Sequence, residues 1–273
     1  MKSENGSTKG KDSTPKLKPT CRLVQHALWE LFKDKLIFGP TPMQPAPPQY
    51  DCQFQISKPA DIPEKVYRFF DKPEHADDFA NGRLWISTLE RCRQYEDPKQ
   101  GDKHEGMIAR LVDDLKLTDG RNTKTQMLAQ SMGIKVPASD INISIKNSTF
   151  VTRLADGLVL CTTLKYAPDT LSDNFGKHCV EISNPHEFFK TLTQSLLSTY
   201  PMIAEAVAGP IIYEDRVAPI HKKISTHIGL IKPSDPYAEQ EEYRMLWLVK
   251  HNIPLTPGII NVPALADYCR RIA

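Results

Sequence analysis

The sequence of 273 residues lacks the features that mark several large classes of protein. Its 35 basic and 33 acidic residues give a net charge of only +2, so no overall field draws the chain to nucleic acid or to an anionic membrane. It contains no run of about 18 apolar residues, the length from which a membrane-spanning helix is suspected. The polar N-terminus has no apolar segment of the kind that a secretory signal requires. We therefore expect a cytoplasmic protein without a membrane contact.

Cysteine pairs and the common catalytic motifs are also missing. The six cysteines form no Cys-x-x-Cys pair, so we expect reduced thiols rather than a disulfide framework or a zinc site. There is no Gly-rich phosphate loop, no His-Glu-x-x-His and no Gly-x-Ser-x-Gly. These absences argue against a redox enzyme, a P-loop nucleotidase and a metalloprotease, and no metal site is predicted.

Composition divides the chain into three parts. Residues 1–20 are rich in Lys, Ser, Thr, Gly and Pro, which predicts a disordered basic arm. The arm is either a solubilising tail or an electrostatic contact for RNA or an acidic partner. Residues 21–50 combine apolar side chains at helical spacing with a Pro-rich stretch, so we predict an N-terminal helix and a tether. The main domain is expected over residues 51–273.

Within that domain, strands outnumber helices and do not alternate with them regularly. KVYRFF (65–70), LWIS (84–87), HCVEIS (178–183) and EEYRMLWLVK (241–250) are typical strands. A capping box at 71–74 predicts a helix over 74–81 that ends at Gly82, and Asn184 precedes a predicted helix that reaches about Thr199. Residues 91–106 are predicted to be a loop, 223–231 a strand and 263–273 a terminal helix. The order favours an α+β fold with mixed or antiparallel sheets and flanking helices.

Two predicted strands carry polar side chains that need an explanation. An arginine inside KVYRFF, Arg68, is unfavourable unless it meets an anion or a carboxylate, or lies on the solvent face. At the end of GLVLCTT, the hydroxyls of Thr162 and Thr163 are placed to bond a ribose or a catalytic glutamate. Threonine is also simply common in strands, so both interpretations of this pair stay open.

A third strand begins with the acidic sequence QEEYR (240–244). Alternation places Gln240, Glu242 and Arg244 on one face, with Tyr243 and the apolar positions that follow on the core face. Gln240 and Glu242 would then project together into a cleft beside the sheet. A solvated charge cluster is the simpler alternative, and residues 239 and 241 offer a competing register.

The order of these landmarks resembles the ADP-ribosyltransferase superfamily. An aromatic–arginine strand is followed by LWIST (84–88), YEDPKQGDKHEG (95–106), FGKHCVEIS (175–183) and QEEYR, and together they cover about residues 64–250. They are similar to an uncharacterised bacterial family within a superfamily rich in toxins of anti-phage defence and toxin–antitoxin systems. The resemblance implies a split sheet around a cleft, NAD as a substrate, and transfer of ADP-ribose to a nucleic acid, RNA being favoured, or to a protein. An antitoxin is a further possible partner.

The resemblance also implies roles for individual residues. Glu242 would be catalytic, bonding the ribose and stabilising the oxocarbenium-like charge as nicotinamide leaves, and Gln240 would face the incoming nucleophile. The residues expected to bind NAD are Arg68 at its phosphates or ribose, Thr162 or Thr163 at the nicotinamide-side ribose and the catalytic glutamate, and Tyr95 or Tyr166 stacked on nicotinamide. The Ser-Thr-Ser element of the superfamily reads Cys-Thr-Thr here, and Ser87 with Thr88 is a rival for it.

Two other functions remain possible at this point. A nuclease-like toxin would hold a divalent cation with Asp97, Asp102 and Glu105, since hard cations prefer clustered carboxylates. A non-catalytic interaction module would instead use the basic arm and the Pro-rich tether to bind a partner.

Overall fold

The computed structural model describes residues 62–95, 101–224, 226–250 and 253–273, together with the backbone of 53–56. The predicted arm (1–20), the predicted helix and tether (21–50) and Asp97 lie outside the described residues. Within these ranges, no helix combines the length and the apolar character that a bilayer-spanning segment requires.

The described chain is an α+β fold with more strands than helices. The strands are β1 (Gln53–Ile56), β2 (Lys65–Phe70), β3 (Arg83–Thr88), β4 (Met107–Asp119), β5 (Asp140–Arg153), β6 (Gly157–Thr163), β7 (His178–Ser183), β8 (Ile203–Pro210), β9 (Ile212–Tyr213), β10 (Val217–Pro219), β11 (Ile231–Lys232), β12 (Glu242–Val249), β13 (Gly258–Asn261) and β14 (Cys269–Arg271). The helices are α1 (Pro73–Ala80), α2 (Leu89–Gln94), α3 (Thr123–Ser131), α4 (Pro168–Phe175), α5 (Pro185–Thr199) and the short α6 (Ser234–Tyr237). Three 3₁₀ helices span Ile228–Leu230, Ala238–Gln240 and Pro263–Tyr268.

The largest sheet of the described residues has nine strands and divides at β6. Its main path runs β1-β8-β12-β6-β2-β7-β14, and β3 with β13 branches from it. The C-terminal end of β6 pairs with β2 through Thr163 and Tyr67, whereas its N-terminal end pairs with β3 through Leu158 and Val159. All pairs in this sheet are antiparallel except the parallel pair of β1 with β8. The strands β2 and β3 thus leave β6 as two separate branches.

Both faces of the central strands are buried, each by its own cluster of apolar side chains. Side chains of directly paired residues share a face, so Leu158, Leu160 and their partners Trp247 and Met245 lie on one face, against α1 and α5. The opposite face carries a smaller apolar cluster of Leu89, Val159, Leu246 and Leu248. Every residue of β12 is consequently buried.

A separate three-stranded sheet extends from the main one. It has the order β10-β4-β5, and the long strands β4 and β5 are joined by a segment that contains α3. Val112, Leu117, Ala129 and Met132 are buried in its own apolar cluster.

Local sequence patterns predicted most of the main elements. The strands β2, β3, β7 and β12 are confirmed, and so is α5, whose Asn184 side chain accepts a hydrogen bond from the Glu187 amide. The helix after β2 is also confirmed, with Pro73 in its first turn and Gly82 at a φ of 79° just beyond its end. The predicted capping box is wrong, because the N-cap residue is Lys72 rather than Asp71, and Lys72 makes no side-chain capping bond.

Three other local predictions are corrected. The segment 91–106, predicted to be a loop, begins inside α2, where Thr88 caps the helix by accepting from the Arg91 amide. The described residues of the predicted strand at 223–231 are irregular up to a 3₁₀ helix at Ile228–Leu230, and only Ile231 lies in a strand, β11. The predicted terminal helix is a 3₁₀ helix followed by β14, because residues 269–271 pair with β7.

Candidate functional site

A cavity of about 460 Å³ lies at the branch point of the sheet, walled by β2, β3 and the end of β6. Its aromatic lining consists of Tyr67, Phe69, Phe70, Phe79, Trp85, Tyr95 and Phe175. Its charged lining consists of Arg68, Lys72, Arg83, Arg91 and Lys232 against Asp71 and Glu242. A pocket with flat apolar walls and an excess of cations is suited to an aromatic, anionic ligand.

Six of the seven side chains expected at an active site line this one cavity. They are Arg68, Tyr95, Thr162, Thr163, Gln240 and Glu242. These residues are up to 174 positions apart in the sequence, and the pairing of β2, β6 and β12 brings them together. Tyr166 is not part of the lining. Ser87, the rival to the threonines, lines the cavity as well, whereas Thr88 caps α2.

Arg68 is a cation without an anionic partner among the described residues. Its Nη1 donates to the carbonyl oxygen of Cys161, while its Nε is buried and makes no hydrogen bond. The guanidinium lies 5.6 Å from the ring centre of Phe70 and 5.7 Å from that of Phe79. Burial lowers the pKa of Arg68 from its ordinary value, although an arginine stays protonated. The side chain therefore keeps the positive charge with which it can bind an anionic ligand.

Glu242 is the opposite case, a buried carboxylate with two cations in contact. Lys232 Nζ lies 2.7 Å from its Oε2, and Arg244 Nε lies 2.8 Å from its Oε1. Burial alone would raise the pKa of Glu242, but Arg244 and Lys232 outweigh it and hold that pKa well below its ordinary value. The carboxylate facing the cavity is therefore ionised at neutral pH.

Behind Glu242 lies a buried network of alternating charges. Arg244 forms a bidentate pair with Glu105, with Nη1–Oε1 and Nη2–Oε2 distances of 2.7 and 3.0 Å. Arg216 pairs with Asp102, and its Nη1–Oδ1 distance is 2.9 Å. Three carboxylates thus balance three cations, which is the condition for burying such groups.

The two threonines bond to the protein itself. Thr162 donates to the carbonyl oxygen of Tyr243, and Thr163 donates to that of Gln240. Thr163 therefore holds the turn that leads into Glu242.

The alternation argument for Gln240 is wrong, since Gln240 ends a 3₁₀ helix and β12 begins only at Glu242. Between them, Glu241 has a φ of 41°, which interrupts the strand geometry. Gln240 and Glu242 line the same cavity all the same. In the competing register, Glu239 is exposed and Glu241 pairs with Lys165, so neither lines it.

The two tyrosines differ. Tyr95 lines the cavity, and the guanidinium of Arg91 lies 5.3 Å from its ring centre. Tyr166 is 43% exposed and packs on Phe69 at the surface. Only Tyr95 is thus placed to stack on a ligand inside the cavity.

The carboxylates considered for a cation are engaged elsewhere. Asp102 and Glu105 are both paired with arginines, and Asp97 lies outside the described residues. Within the described part of the chain, no group of three His, Cys, Asp or Glu side chains is arranged to hold a metal ion.

Sequence reasoning missed Lys232, Arg91 and the partner role of Glu105. Lys232 belongs to a two-residue strand, β11, whose pattern is too short to detect. Arg91 lies on α2, in a segment that was predicted to be a loop. A pairing such as Arg244 with Glu105 leaves no local signal, since the partners are 139 positions apart.

Comparison with protein-family models, with curated proteins and with solved structures found no match to this chain.

Proposed function

We propose that the cavity binds NAD and that the protein is an NAD-dependent ADP-ribosyltransferase. One observation carries the proposal: an arginine without an anionic partner, Arg68, and an ionised buried carboxylate, Glu242, line the same aromatic cavity. The charges of NAD match this pair of side chains. Its phosphates are anionic and suit Arg68, and the positive charge that develops on its ribose during transfer suits Glu242. The branched sheet around the cavity also agrees with the fold that the resemblance implies.

Arg68 would bind the phosphates. A guanidinium matches a phosphate geometrically and forms charge-assisted hydrogen bonds with it. Arg68 lines the cavity without an anionic partner among the described residues, so a bound phosphate would compensate its charge. The rings of Tyr95 and Trp85 offer flat surfaces for the nicotinamide or the adenine.

Glu242 would act on the ribose. An ionised carboxylate has about four acceptor positions, and Lys232 and Arg244 use two of them, so a ribose hydroxyl can still be bound. As the bond between C1′ and nicotinamide breaks, its electron pair leaves with nicotinamide and positive charge grows on the ribose. A fixed negative charge in a site shielded from water stabilises that charge. Lys232 and Arg244 partly offset this effect and hold the carboxylate in place.

The biological role completes the proposal. The resemblance suggests a cytoplasmic bacterial toxin of a defence or toxin–antitoxin system that modifies a nucleic acid or a protein and is restrained by an antitoxin. A metal-dependent nuclease is less well supported, because Asp102 and Glu105 have arginine partners. A non-catalytic interaction module, which would bind a partner through the basic arm and the Pro-rich tether, would show no turnover of NAD.

The test is nicotinamide release from NAD together with transfer of labelled ADP-ribose in a cell lysate. We expect turnover by the wild type and loss of at least about 100-fold in Glu242→Gln, the scale of removing one preorganised electrostatic group. Since this variant leaves Lys232 without its closest carboxylate, Glu242→Gln with Lys232→Gln provides a charge-balanced second variant. Arg68→Met should raise KM for NAD while the folded protein stays as stable as the wild type or gains stability. RNase and protease digestion then identify the labelled acceptor.

Matched controls are exposed ion pairs away from the cavity. Glu187→Gln removes a partner of Lys190, and Arg121→Met removes a partner of Asp119, so both should keep full turnover. Absence of NAD binding at millimolar concentration by the folded wild type would refute the proposal. Full turnover in Glu242→Gln would refute the assigned role of that carboxylate.

A further inference from the structure

Tyr166 is an aromatic side chain on the surface next to the cavity. Of the described aromatic residues, it alone is more than a third exposed. Its ring is nearly parallel to that of Phe69, at 10° and a centre distance of 6.1 Å, and lies 5.6 Å from that of Tyr67. Tyr67 and Phe69 also line the cavity. The three rings therefore form one aromatic surface, the Tyr166 platform, that leads from the outside to the cavity wall.

The register of the sheet relates this platform to the carboxylate. Tyr67 pairs with Thr163, and Thr163 pairs with Glu242, so the three residues form one row across β2, β6 and β12. With neighbouring strands about 4.8 Å apart, Tyr67 and Glu242 are about 10 Å apart along this row. Side chains in such a row point to the same face of the sheet. A flat group on the platform thus lies beside the place where the ribose would react.

We propose that the Tyr166 platform is the acceptor subsite, and that it binds a nucleobase of a single-stranded nucleic acid. This inference rests on the proposed function, since the nucleobase is the group that would receive ADP-ribose. The bond between C1′ and nicotinamide breaks with its electron pair on nicotinamide. The nitrogen of an N–H or amino group of the base forms the new bond to C1′, and the proton that this nitrogen loses passes to solvent.

Stacking and charge favour this occupant. Bases stack on exposed aromatic side chains with little dependence on sequence, and only unpaired bases present a free face. Of the five basic side chains that line the cavity, Lys72, Arg83 and Lys232 have acidic partners and Arg68 is assigned to NAD, so Arg91 is the one that complements a phosphate of the backbone. Gln240, in the turn held by Thr163, lines the cavity as well.

The test measures binding of fluorescently labelled 12-mers, single-stranded and duplex, RNA and DNA, to the full chain. We expect single strands to bind more tightly than duplexes, and Tyr166→Ala to weaken single-strand binding about 5- to 150-fold, the effect of losing one stacked base. Tyr166→Phe keeps the ring and should bind within twofold of the wild type. Met127→Ala, an exposed apolar residue on α3, is the control for general surface effects and should leave binding unchanged.

A second measurement separates this inference from the proposed function. Tyr166 does not line the cavity, so Tyr166→Ala should release nicotinamide to water at the wild-type rate while losing ADP-ribose transfer to the oligonucleotide. Wild-type oligonucleotide affinity in Tyr166→Ala, equal affinity for single strands and duplexes, or label found on protein alone would overturn the acceptor subsite. Failure of the wild type to turn over NAD refutes the proposed function instead, and the binding measurement needs no NAD.

Discussion

Replacing Glu105 by glutamine removes one charge from the buried network without changing the size of the side chain. In the native protein both carboxylate oxygens of Glu105 accept from Arg244, and each side chain is 1% exposed. Lys232 and Arg216 lie 3.8 and 3.7 Å away. Glu105→Gln therefore leaves three buried cations with two carboxylates, Asp102 and Glu242.

The expected loss of stability follows from this imbalance. Removing one partner of a buried pair costs about 3–5 kcal/mol, because the remaining charge stays desolvated without compensation. A domain is typically stable by only about 5–15 kcal/mol, so the loss is a large fraction of the total. An exposed pair behaves differently, since a pair in contact with water contributes about 0–1 kcal/mol. Asp140→Asn, which removes an exposed partner of Arg121, is the matched control.

The assay is equilibrium unfolding in urea. The free energies of unfolding are compared between variants whose dependence on urea concentration has the same slope. Adding Arg244→Met to Glu105→Gln restores the balance, with Asp102 and Glu242 facing Arg216 and Lys232. We expect the double variant to be more stable than Glu105→Gln alone. A loss below about 1 kcal/mol in Glu105→Gln, similar to that of Asp140→Asn, or a double variant less stable than the single one, would refute the reasoning.

Two further predictions concern the stability of the protein at low pH and the substitution of two glycines. Because the pKa of Glu242 is lowered in the folded protein, the unfolded chain takes up the proton of this residue first as the pH falls. The stabilisation that comes from ionised Glu242 is therefore complete above the ordinary glutamate pKa of about 4.3 and is lost as the pH falls toward the pKa of the folded protein. Unfolding free energies between pH 3 and 7 should decline steeply below that value in the wild type and less steeply in Glu242→Gln, and equal slopes would contradict the assignment. Gly82 and Gly133 both have positive φ, but a Cβ at Gly82 would meet the Val262 carbonyl oxygen at 2.3 Å while one at Gly133 meets nothing within 4 Å. Thermal unfolding should show a loss of about 1–2 kcal/mol for Gly133→Ala and a clearly larger one for Gly82→Ala, and similar losses would show that the contact is relieved by a shift.

The sequence predicted elements whose pattern is local. KVYRFF and α5 carry their own period and end signals, so their bounds were close to those observed. Residues 269–271 form a strand because they pair with β7. The periodicity of the local sequence does not indicate this pairing. The same limit explains the missed α2, a helix of six residues in a stretch of polar sequence.

The candidate site shows the same division. An arginine in an apolar strand and a glutamate before an apolar strand were recognised because each is unusual where it stands. The alternation argument at Gln240 failed because it extended the strand back to that residue, whereas β12 starts two residues later, after Glu241 with its positive φ. Lys232 and Glu105 reach Glu242 and Arg244 only through the fold, so no spacing indicates them.

Arg68 and Arg244 show how burial and pairing together locate a site. Arg244 is buried and contacts two carboxylates, whereas the partly buried Arg68 has none among the described residues. Burial lowers the pKa of Arg68, whereas Glu105 and Glu242 raise the pKa of Arg244 despite its burial. A fully paired cation stabilises the fold without a ligand, and an unpaired one costs stability until an anion arrives. The unpaired Arg68 at the branch of the sheet is what the proposed anionic ligand would compensate, and Glu242 lines the same cavity.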